Sequence, residues 1–188
     1  MKKYLILAKH SLPKIEKNRP ANQWELSDTG RVLAKKLAVR LNEFQPELII
    51  SSVEPKAKQT AEIIAAEHNL ELQLIEGLHE HDRSKVGYLD RDQFQAAVRE
   101  FFENPGRLVF GSETADACHA RFHQAVHSIL DQNLDKTVVI VTHGTVISLF
   151  VSRLTGMSGL LLWNELALPS FVVIDVQAAT LIERENIL

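Results

Sequence analysis

Two histidines each come at the end of an apolar stretch, and a cation stands beside the first. Lys9 and His10 follow the apolar run 4–8, and His143 ends the segment KTVVIVTHG at residues 136–144. A neutral imidazole can act as a nucleophile or carry a proton, and a neighbouring ammonium group can bind an anion. One histidine after a strand more often serves only as a hydrogen-bonded strand end. Two in the same setting favour a catalytic pair.

Other residues near these histidines favour the binding of an anion. Gly144 lets the backbone approach a ligand closely, and the helix predicted over 145–155 would offer its N-terminal amides to it. Lys56 stands in the first turn of another predicted helix, where the helix dipole disfavours a cation. A lysine at that position indicates that an anion shares the site. A solvated surface position is the alternative for any single lysine, and it is our interpretation of Lys58.

These residues are positioned by strands that alternate with helices along the chain. The apolar runs predict strands at 4–8, 47–52, 71–75 and 136–144, followed by a hairpin of 170–176 and 179–185 at the sheet edge. Helical spacing predicts helices from the N-cap Ser27 to before Pro46, and at 54–69, 92–103, 113–131 and 145–155. The class is therefore α/β: a three-layer α/β/α sandwich around a mostly parallel sheet.

The mostly parallel sheet explains how residues far apart in sequence could form one site. Ligands bind beyond the carboxyl ends of the strands in open α/β sheets. His10 and His143 both follow such ends, so we expect them at the same edge of the sheet. The polar segment 76–92 is predicted to be a long loop, and loops of this length are often functional.

Composition and charge exclude several classes of protein. A chain of 188 residues fits a single domain spanning 1–188, and its net charge of −3 argues against nucleic acids and anionic membranes as partners. The single cysteine, Cys118, cannot form an internal disulfide, which suits a reducing compartment. The N-terminal Met1 and Lys2 precede too short an apolar run for a signal peptide, and no segment could span a membrane. We therefore predict a cytoplasmic protein.

Five segments of the sequence, taken together, resemble one known family. They are LILAKHS, WELSDTG, IISSVEPKAKQTA, GLHEH and VIVTHGTV, in that order. Their order and spacing are similar to those of the histidine phosphatase superfamily, in the branch that contains small cofactor-independent phosphatases and phosphoglycerate-mutase-like enzymes. The resemblance covers nearly the whole chain and implies a phosphoglycerate-mutase-like fold.

Two departures from the family pattern fall on the expected phosphate pocket. Lys9 and Lys56 stand where the family usually has arginine, and Ser11 replaces a smaller residue. Arginine binds phosphate through a planar fork of two donors, whereas lysine acts as a point charge. The positive charge is therefore retained with looser geometry, which indicates a variant pocket.

The resemblance implies a phosphomonoester hydrolase that works through a phosphohistidine on His10. Lys9, Lys56 and His143 would surround the phosphoryl oxygens, and the segments 12–26 and 81–95 would form the walls of the mouth. These implied roles also include phosphate contacts from Ser11 and Gly144.

The resemblance assigns the general acid to the carboxylate of GLHEH, which is Glu80. Its pKa would have to rise for that role, and a nearby phosphate dianion would raise it. Asp82 and Glu113 are the alternatives for the same role, because the loop is the weakest part of the match. A solvated loop carboxylate is the other interpretation of Glu80.

Three further hypotheses compete with a phosphatase. The two lysines motivate a non-catalytic member that binds phosphate without turnover, and a phosphoglycerate-type mutase is a less favoured alternative. His119, His123 and His127 share one helix face, as zinc ligands can. No HExxH motif accompanies them, so we expect neither a metal nor another cofactor. The predicted partner is a small phosphoester or a phosphoprotein, and its identity and the oligomeric state stay open.

Overall fold

A computed structural model of the chain describes residues 3–188, and a six-stranded sheet lies at the centre of this range. Met1 and Lys2, which entered the prediction about a signal peptide, lie outside it. The strands are β1 (Leu5–Lys9), β2 (Leu48–Ser51), β3 (Leu72–Leu74), β4 (Val138–Thr142), β5 (Ser170–Asp175) and β6 (Thr180–Asn186). Their spatial order is β3-β2-β4-β1-β5-β6.

The sheet is mostly parallel, which confirms the predicted fold class. Strands β3, β2, β4 and β1 pair in parallel, whereas β5 runs antiparallel to β1 and β6 antiparallel to β5. The closing hairpin is therefore present as predicted, with β6 at the sheet edge and β5 against β1.

Six α-helices cover the two faces of the sheet within the described range. They are α1 (Asp28–Arg40), α2 (Pro55–His68), α3 (Arg91–Glu103), α4 (Ala115–Asp131), α5 (Gly144–Thr155) and α6 (Gly159–Glu165), and two short 3-10 helices lie at Ala21–Gln23 and Leu41–Phe44. The predicted N-cap of α1 is confirmed, since Ser27 Oγ accepts a hydrogen bond of 3.0 Å from the amide of Gly30. Helix α6 is not predicted from the sequence, because its seven residues are too few to show a helical period.

Alternate residues of the strands build a separate core on each face. Leu5 and Leu7 of β1 belong to the cluster that contains Phe122 and side chains of α3, α4, α5 and α6. Ile6 belongs to the opposite cluster with Ile64, which joins α1 and α2 to the sheet. Successive side chains of a strand point to opposite faces, so β1, whose first four residues are buried, holds the three layers together.

The register between β1 and β4 places the two histidines side by side. Lys9 pairs with Thr142, so the next residues of the two strands leave the sheet together. The amide of His10 extends this ladder by donating to the carbonyl oxygen of Thr142 at 2.9 Å.

No helix between residues 3 and 188 has both the length and the apolar character needed to cross a lipid bilayer.

Candidate active site

The structure brings His10 and His143 into contact, as their positions in the sequence predict. Their ring centroids lie 5.1 Å apart, and both side chains are buried. His10 Nδ1 lies 2.8 Å from the carbonyl oxygen of Ser11. A carbonyl oxygen can only accept, so Nδ1 carries the proton and Nε2 keeps its lone pair. Burial, aided by the positive charge of Lys56, holds the pKa of His10 well below its usual value. The ring is therefore neutral.

His143 is a second neutral imidazole, and it is fully buried behind the strand ends. Its Nε2 lies 2.9 Å from Ser52 Oγ, on the residue that follows β2. Its Nδ1 is buried and has no hydrogen-bond partner among residues 3–188. Burial and then Lys56 lower the pKa of His143 well below its usual value. A buried polar atom without a partner is rare. His143 is fully buried and is not among the residues that line the cleft around His10, so the structure does not bring it to the surface of that cleft.

Lys9 provides the first cation of the site from the last position of β1. Its Nζ donates to the carbonyl oxygen of Leu166 at 2.7 Å. Burial lowers the pKa of Lys9 to about 8, although the charge of Glu80 opposes this shift. The lysine stem lies against Gly144, where a Cβ would come within 3.0 Å of Lys9 Cε. The absence of a side chain at position 144 thus leaves room for the side chain of Lys9.

Lys56 provides the second cation, and the protein itself supplies the predicted anion beside it. The ammonium donates to the carbonyl oxygen of Ala21 at 2.7 Å and forms an ion pair with Glu54. Lys56 and Glu54 are only 5% and 7% exposed, which is rare for either residue type unless it is paired. Glu54 was not predicted from the sequence as a residue of this site. Its signal was an acidic residue immediately before Pro55, at the start of α2.

Glu54 also connects Lys56 to the other side of the site. One carboxylate oxygen, Oε1, accepts a hydrogen bond of 2.9 Å from the amide of Glu80 and lies 3.6 Å from His143 Nε2. The other oxygen, Oε2, accepts from Lys56. A single buried carboxylate therefore contacts both the backbone of the loop 76–90 and the second cation.

Glu80 lines one cleft together with Lys9, His10 and Lys56, and it is held in the ionised form. Its Oε2 accepts a hydrogen bond of 3.2 Å from the amide of Thr145 in the first turn of α5, and lies 3.9 Å from Arg83 Nη2. Burial raises the pKa of Glu80, but the charge of Arg83 and the hydrogen bond from the amide of His81 act in the opposite direction, and the pKa is lowered. The rise that a general acid needs is therefore not produced by the protein groups around it.

The other two candidates for the general acid do not line the cleft. Asp82 Oδ1 accepts from the amide and the hydroxyl of Ser84, at 3.0 and 2.7 Å. Glu113 pairs with Arg121, which also donates to the carbonyl oxygens of Gly77 and His79. These contacts stabilise the loop that carries Glu80.

The hydroxyl of Ser11 is not brought to the proposed phosphate position. It donates to the carbonyl oxygen of Gly30 at 2.7 Å, and the amide of Ser11 donates to Thr60 Oγ1 at 3.0 Å. Ser11 is fully buried and does not line the cleft. The expected phosphate contact is thus replaced by bonds that fasten the turn after β1 to α1 and α2.

A cleft of about 390 Å³ opens above these groups. Lys9, His10, Lys56, Glu80 and Gly144 line its inner end. Residues between 13 and 24 form one wall, and residues between 83 and 94, with Trp163 and Leu168, form the other. The arrangement suits an anion bound against two cations and a neutral imidazole that can act as a nucleophile.

The histidine row of α4 is separate from this site. The ring centroids of His119, His123 and His127 are 5.4 and 4.0 Å apart in sequence order. Residues 3–188 contain no group of three or more His, Cys, Asp or Glu side chains that could hold a metal ion. The expectation that the protein needs no metal stays a prediction.

Comparison with known families gives a match over most of the chain. The family model described as histidine phosphatase superfamily (branch 1) matches residues 10–182. Phosphoglycerate mutase-like protein 4 of Arabidopsis thaliana is 32% identical over 69% of this chain and 60% of its own length. The chain thus spans less than two thirds of that curated relative.

Solved structures share the fold at lower identity. Phosphoserine phosphatase from Entamoeba histolytica, in complex with 3-phosphoglyceric acid, has a TM-score of 0.79, with 21% identity over 98% of both chains. A mycobacterial glucosyl-3-phosphoglycerate phosphatase has a TM-score of 0.74, with 23% identity over 91% of this chain and 89% of its own. Likeness at these identities shows the fold.

Proposed function

This chain belongs to the histidine phosphatase superfamily, branch 1, and from that membership we propose that it hydrolyses phosphomonoesters through a phosphohistidine on His10. One observation supports the proposal: Nδ1 of His10 is engaged by the Ser11 carbonyl, which leaves Nε2 with its lone pair on a residue that lines the cleft. Small phosphoesters and phosphoproteins are both proposed as substrates.

In the first proposed step, His10 Nε2 attacks phosphorus and the bond from phosphorus to the ester oxygen breaks. The leaving oxygen takes a proton from Glu80 and departs as an alcohol. A bound phosphate dianion would raise the pKa of Glu80 against the lowering by Arg83, and would thereby supply the proton that this step needs.

In the second step, Glu80 takes a proton from water while the water oxygen attacks phosphorus. The phosphorus–nitrogen bond breaks, inorganic phosphate leaves, and His10 returns to its neutral form. Glu80 ends the cycle protonated, as it began the first step, so protons balance over the two steps.

Lys9, Lys56 and His143 would stabilise the negative charge that spreads over the phosphoryl oxygens. Removal of one such donor typically costs about 2.7–4 kcal/mol in the barrier. By resemblance to the family pattern, the two lysines stand in place of arginines. The pocket would then hold phosphate by charge with less geometric constraint.

A non-catalytic phosphate-binding protein is the second candidate, and one observation favours it. Both ammonium groups already have partners in the protein: Lys9 bonds to the Leu166 carbonyl, and Lys56 bonds to Ala21 and Glu54. A ligand phosphate would have to share them, which weakens the stabilisation available to a transition state.

Hydrolysis of p-nitrophenyl phosphate by the wild type and by His10→Ala separates the two candidates. We expect the substitution to lower kcat by roughly 10³-fold or more, since the covalent path disappears. An acid-labile phosphoenzyme should form in the wild type alone. His127→Ala, on the far row of α4, is the matched control and should keep full activity. If the wild type and His10→Ala both hydrolysed the ester only at the background rate, while the wild type still bound phosphate at equilibrium, the non-catalytic phosphate-binding function would be supported.

A further inference from the structure

The outer part of the cleft is lined by aromatic and aliphatic side chains. We call its members Ile15, Trp24, Tyr88, Phe94, Trp163 and Leu168 the apolar annex. Both tryptophans of the chain are among them. We propose that the annex binds the alcohol part of the substrate, and that this part carries an aromatic or other apolar group. The inference rests on the proposed function for the position of the phosphoryl group.

One wall of the annex is fixed by hydrogen bonds at its tryptophan. Trp24 Nε1 donates to the carbonyl oxygens of Glu16 and Arg19, at 3.0 and 3.1 Å. These bonds satisfy the polar edge of the indole, so its apolar surface can line the cleft. A tryptophan held this way is a preorganised surface for a flat ligand.

The opposite wall is an aromatic pair from two different helices. The rings of Phe94 on α3 and Trp163 on α6 meet edge to face, with centroids 5.7 Å apart. The guanidinium carbon of Arg83 lies 4.7 Å from the centroid of Phe94. The two walls approach each other at the mouth, where Lys17 Nζ lies 4.8 Å from the Tyr88 ring centroid.

Apolar surface remains exposed to water at this mouth. Ile15 is 60% exposed and Tyr88 is 50% exposed, although each lines the same cleft. Single exposed apolar residues are ordinary, but apolar side chains that converge on one concave surface mark a binding site. Their burial by a ligand would contribute to affinity in proportion to the apolar area covered.

The cations that line the cleft give less support to a second anionic group on the substrate than the annex gives to an apolar group. Arg83 Nη2 lies 3.9 Å from Glu80 Oε2, and the guanidinium group of Arg83 stands over the ring of Phe94. Arg19 Nη1 lies 3.6 Å from Glu16 Oε2. These two charges thus have a carboxylate neighbour in the protein, whereas Arg91 also lines the cleft and forms no ion pair among residues 3–188. One unpaired arginine stands against six apolar side chains, so an apolar alcohol part fits the lining better than a second acidic group.

Binding of phosphonates, which cannot be hydrolysed, tests the annex without requiring turnover. We expect benzylphosphonate to bind at least about tenfold more tightly than methylphosphonate, because the ring is removed from water. Trp163→Ala and Phe94→Ala should each reduce that ratio severalfold. Leu161→Ala is the matched control on α6, since Leu161 is 63% exposed and outside the cleft lining. Calorimetry gives the affinities, and thermal unfolding verifies that each variant is folded.

Each outcome decides the proposal. Equal affinities for the two phosphonates, tighter binding of the acidic phosphonoacetate, or no binding of any of them would overturn it. A benzyl preference in a protein that hydrolyses no ester would support the annex and overturn the proposed hydrolysis. In an active enzyme, kcat/KM should be higher for 2-phenylethyl phosphate than for ethyl phosphate, two esters whose alcohols are of similar acidity.

Discussion

The carboxylate of Glu54 is ion-paired with the ammonium of Lys56, and each side chain is only 7% exposed. Charges in such a setting are screened little by salt or water. A phosphate dianion that binds against Lys56 has to share this cation with Glu54. The charge of Glu80 acts on Lys9 from a greater distance, without an ion pair, and raises its pKa against the effect of burial. Two carboxylates thus offset the two lysines that were expected to bind phosphate.

Replacing Glu54 by glutamine should therefore strengthen anion binding. We expect Glu54→Gln to bind vanadate and phosphate about tenfold more tightly, since a repulsive charge is removed from beside the ligand. The glutamine keeps an oxygen that can accept from the amide of Glu80. Calorimetry measures the affinity, and Glu62→Gln, a half-exposed position on the same helix, is the control.

The same variant should respond more strongly to phosphate in its thermal stability. Replacement of Glu54 removes the ionic partner of the buried Lys56 and leaves it only the carbonyl oxygen of Ala21, which lowers Tm in plain buffer. Bound phosphate supplies a new partner, so the rise of Tm with phosphate concentration should be steeper than in the wild type. Unchanged or weaker phosphate binding by Glu54→Gln would show that Glu54 does not compete for this cation.

Lys9 should impose an alkaline limit on substrate capture. Burial lowers the pKa of Lys9 to about 8, and its protonated form is the one that attracts phosphate. kcat/KM, which reports the free enzyme, should fall as pH rises through this value. The limit in kcat should lie at higher pH, because a bound dianion favours the charged ammonium.

Lys9→Arg separates this explanation from others, since arginine stays protonated across the whole range. We expect its kcat/KM profile to remain flat to about pH 10. Lys58→Arg, at an exposed position of α2, should keep the wild-type profile. An alkaline limit that is the same in all three proteins would assign it to another group.

The loss of rate on replacing Glu80 should be larger for leaving groups that need a proton in order to depart. We expect Glu80→Gln to slow the hydrolysis of an alkyl phosphate by roughly 10²–10⁴-fold. Formation of the phosphoenzyme from p-nitrophenyl phosphate should slow far less, because p-nitrophenolate leaves without protonation. Rapid-quench kinetics measures this first step. Asp82→Asn is the control for the neighbouring carboxylate, and an equal loss in both variants would remove the assignment to Glu80.

The strand ends and their histidines could be predicted because their signals are local. Each apolar run shows a buried strand, and parallel pairing then brings His10 and His143 to one edge without further information. The N-cap Ser27 was equally predictable from its neighbours. The fold class could be predicted from the alternation of strands and helices. This alternation is recognised even when the predicted ends of the elements are wrong by a few residues.

The direction of individual side chains could not be predicted, because it depends on contacts between distant segments. The burial of Glu54 requires the loop that carries Glu80, which lies 26 residues further along the chain. The Ser11 hydroxyl bonds to Gly30, and Lys9 bonds to a carbonyl that follows α6, a helix whose sequence shows no clear period. Competing partners of this kind appear only when the chain is folded.

Gly30 should be required for stability, although it lies inside a helix where alanine is normally preferred. A Cβ at this position would lie 2.0 Å from the carbonyl oxygen of Leu12, a contact that no side-chain adjustment can relieve. We expect Gly30→Ala to cost about 3 kcal/mol of unfolding free energy despite its gain in helix propensity. That corresponds to a fall in Tm of roughly 6–12 °C for a domain of this size.

Gly87→Ala provides the comparison, because a Cβ there would meet no atom within 4 Å. Its Tm should stay the same or rise slightly, through the lower entropy of the unfolded chain. Differential scanning calorimetry of the two variants measures both effects. If Gly30→Ala were as stable as Gly87→Ala, the turn after β1 would have to move freely away from α1. That freedom would contradict the fixed position of His10 on which the proposed chemistry depends.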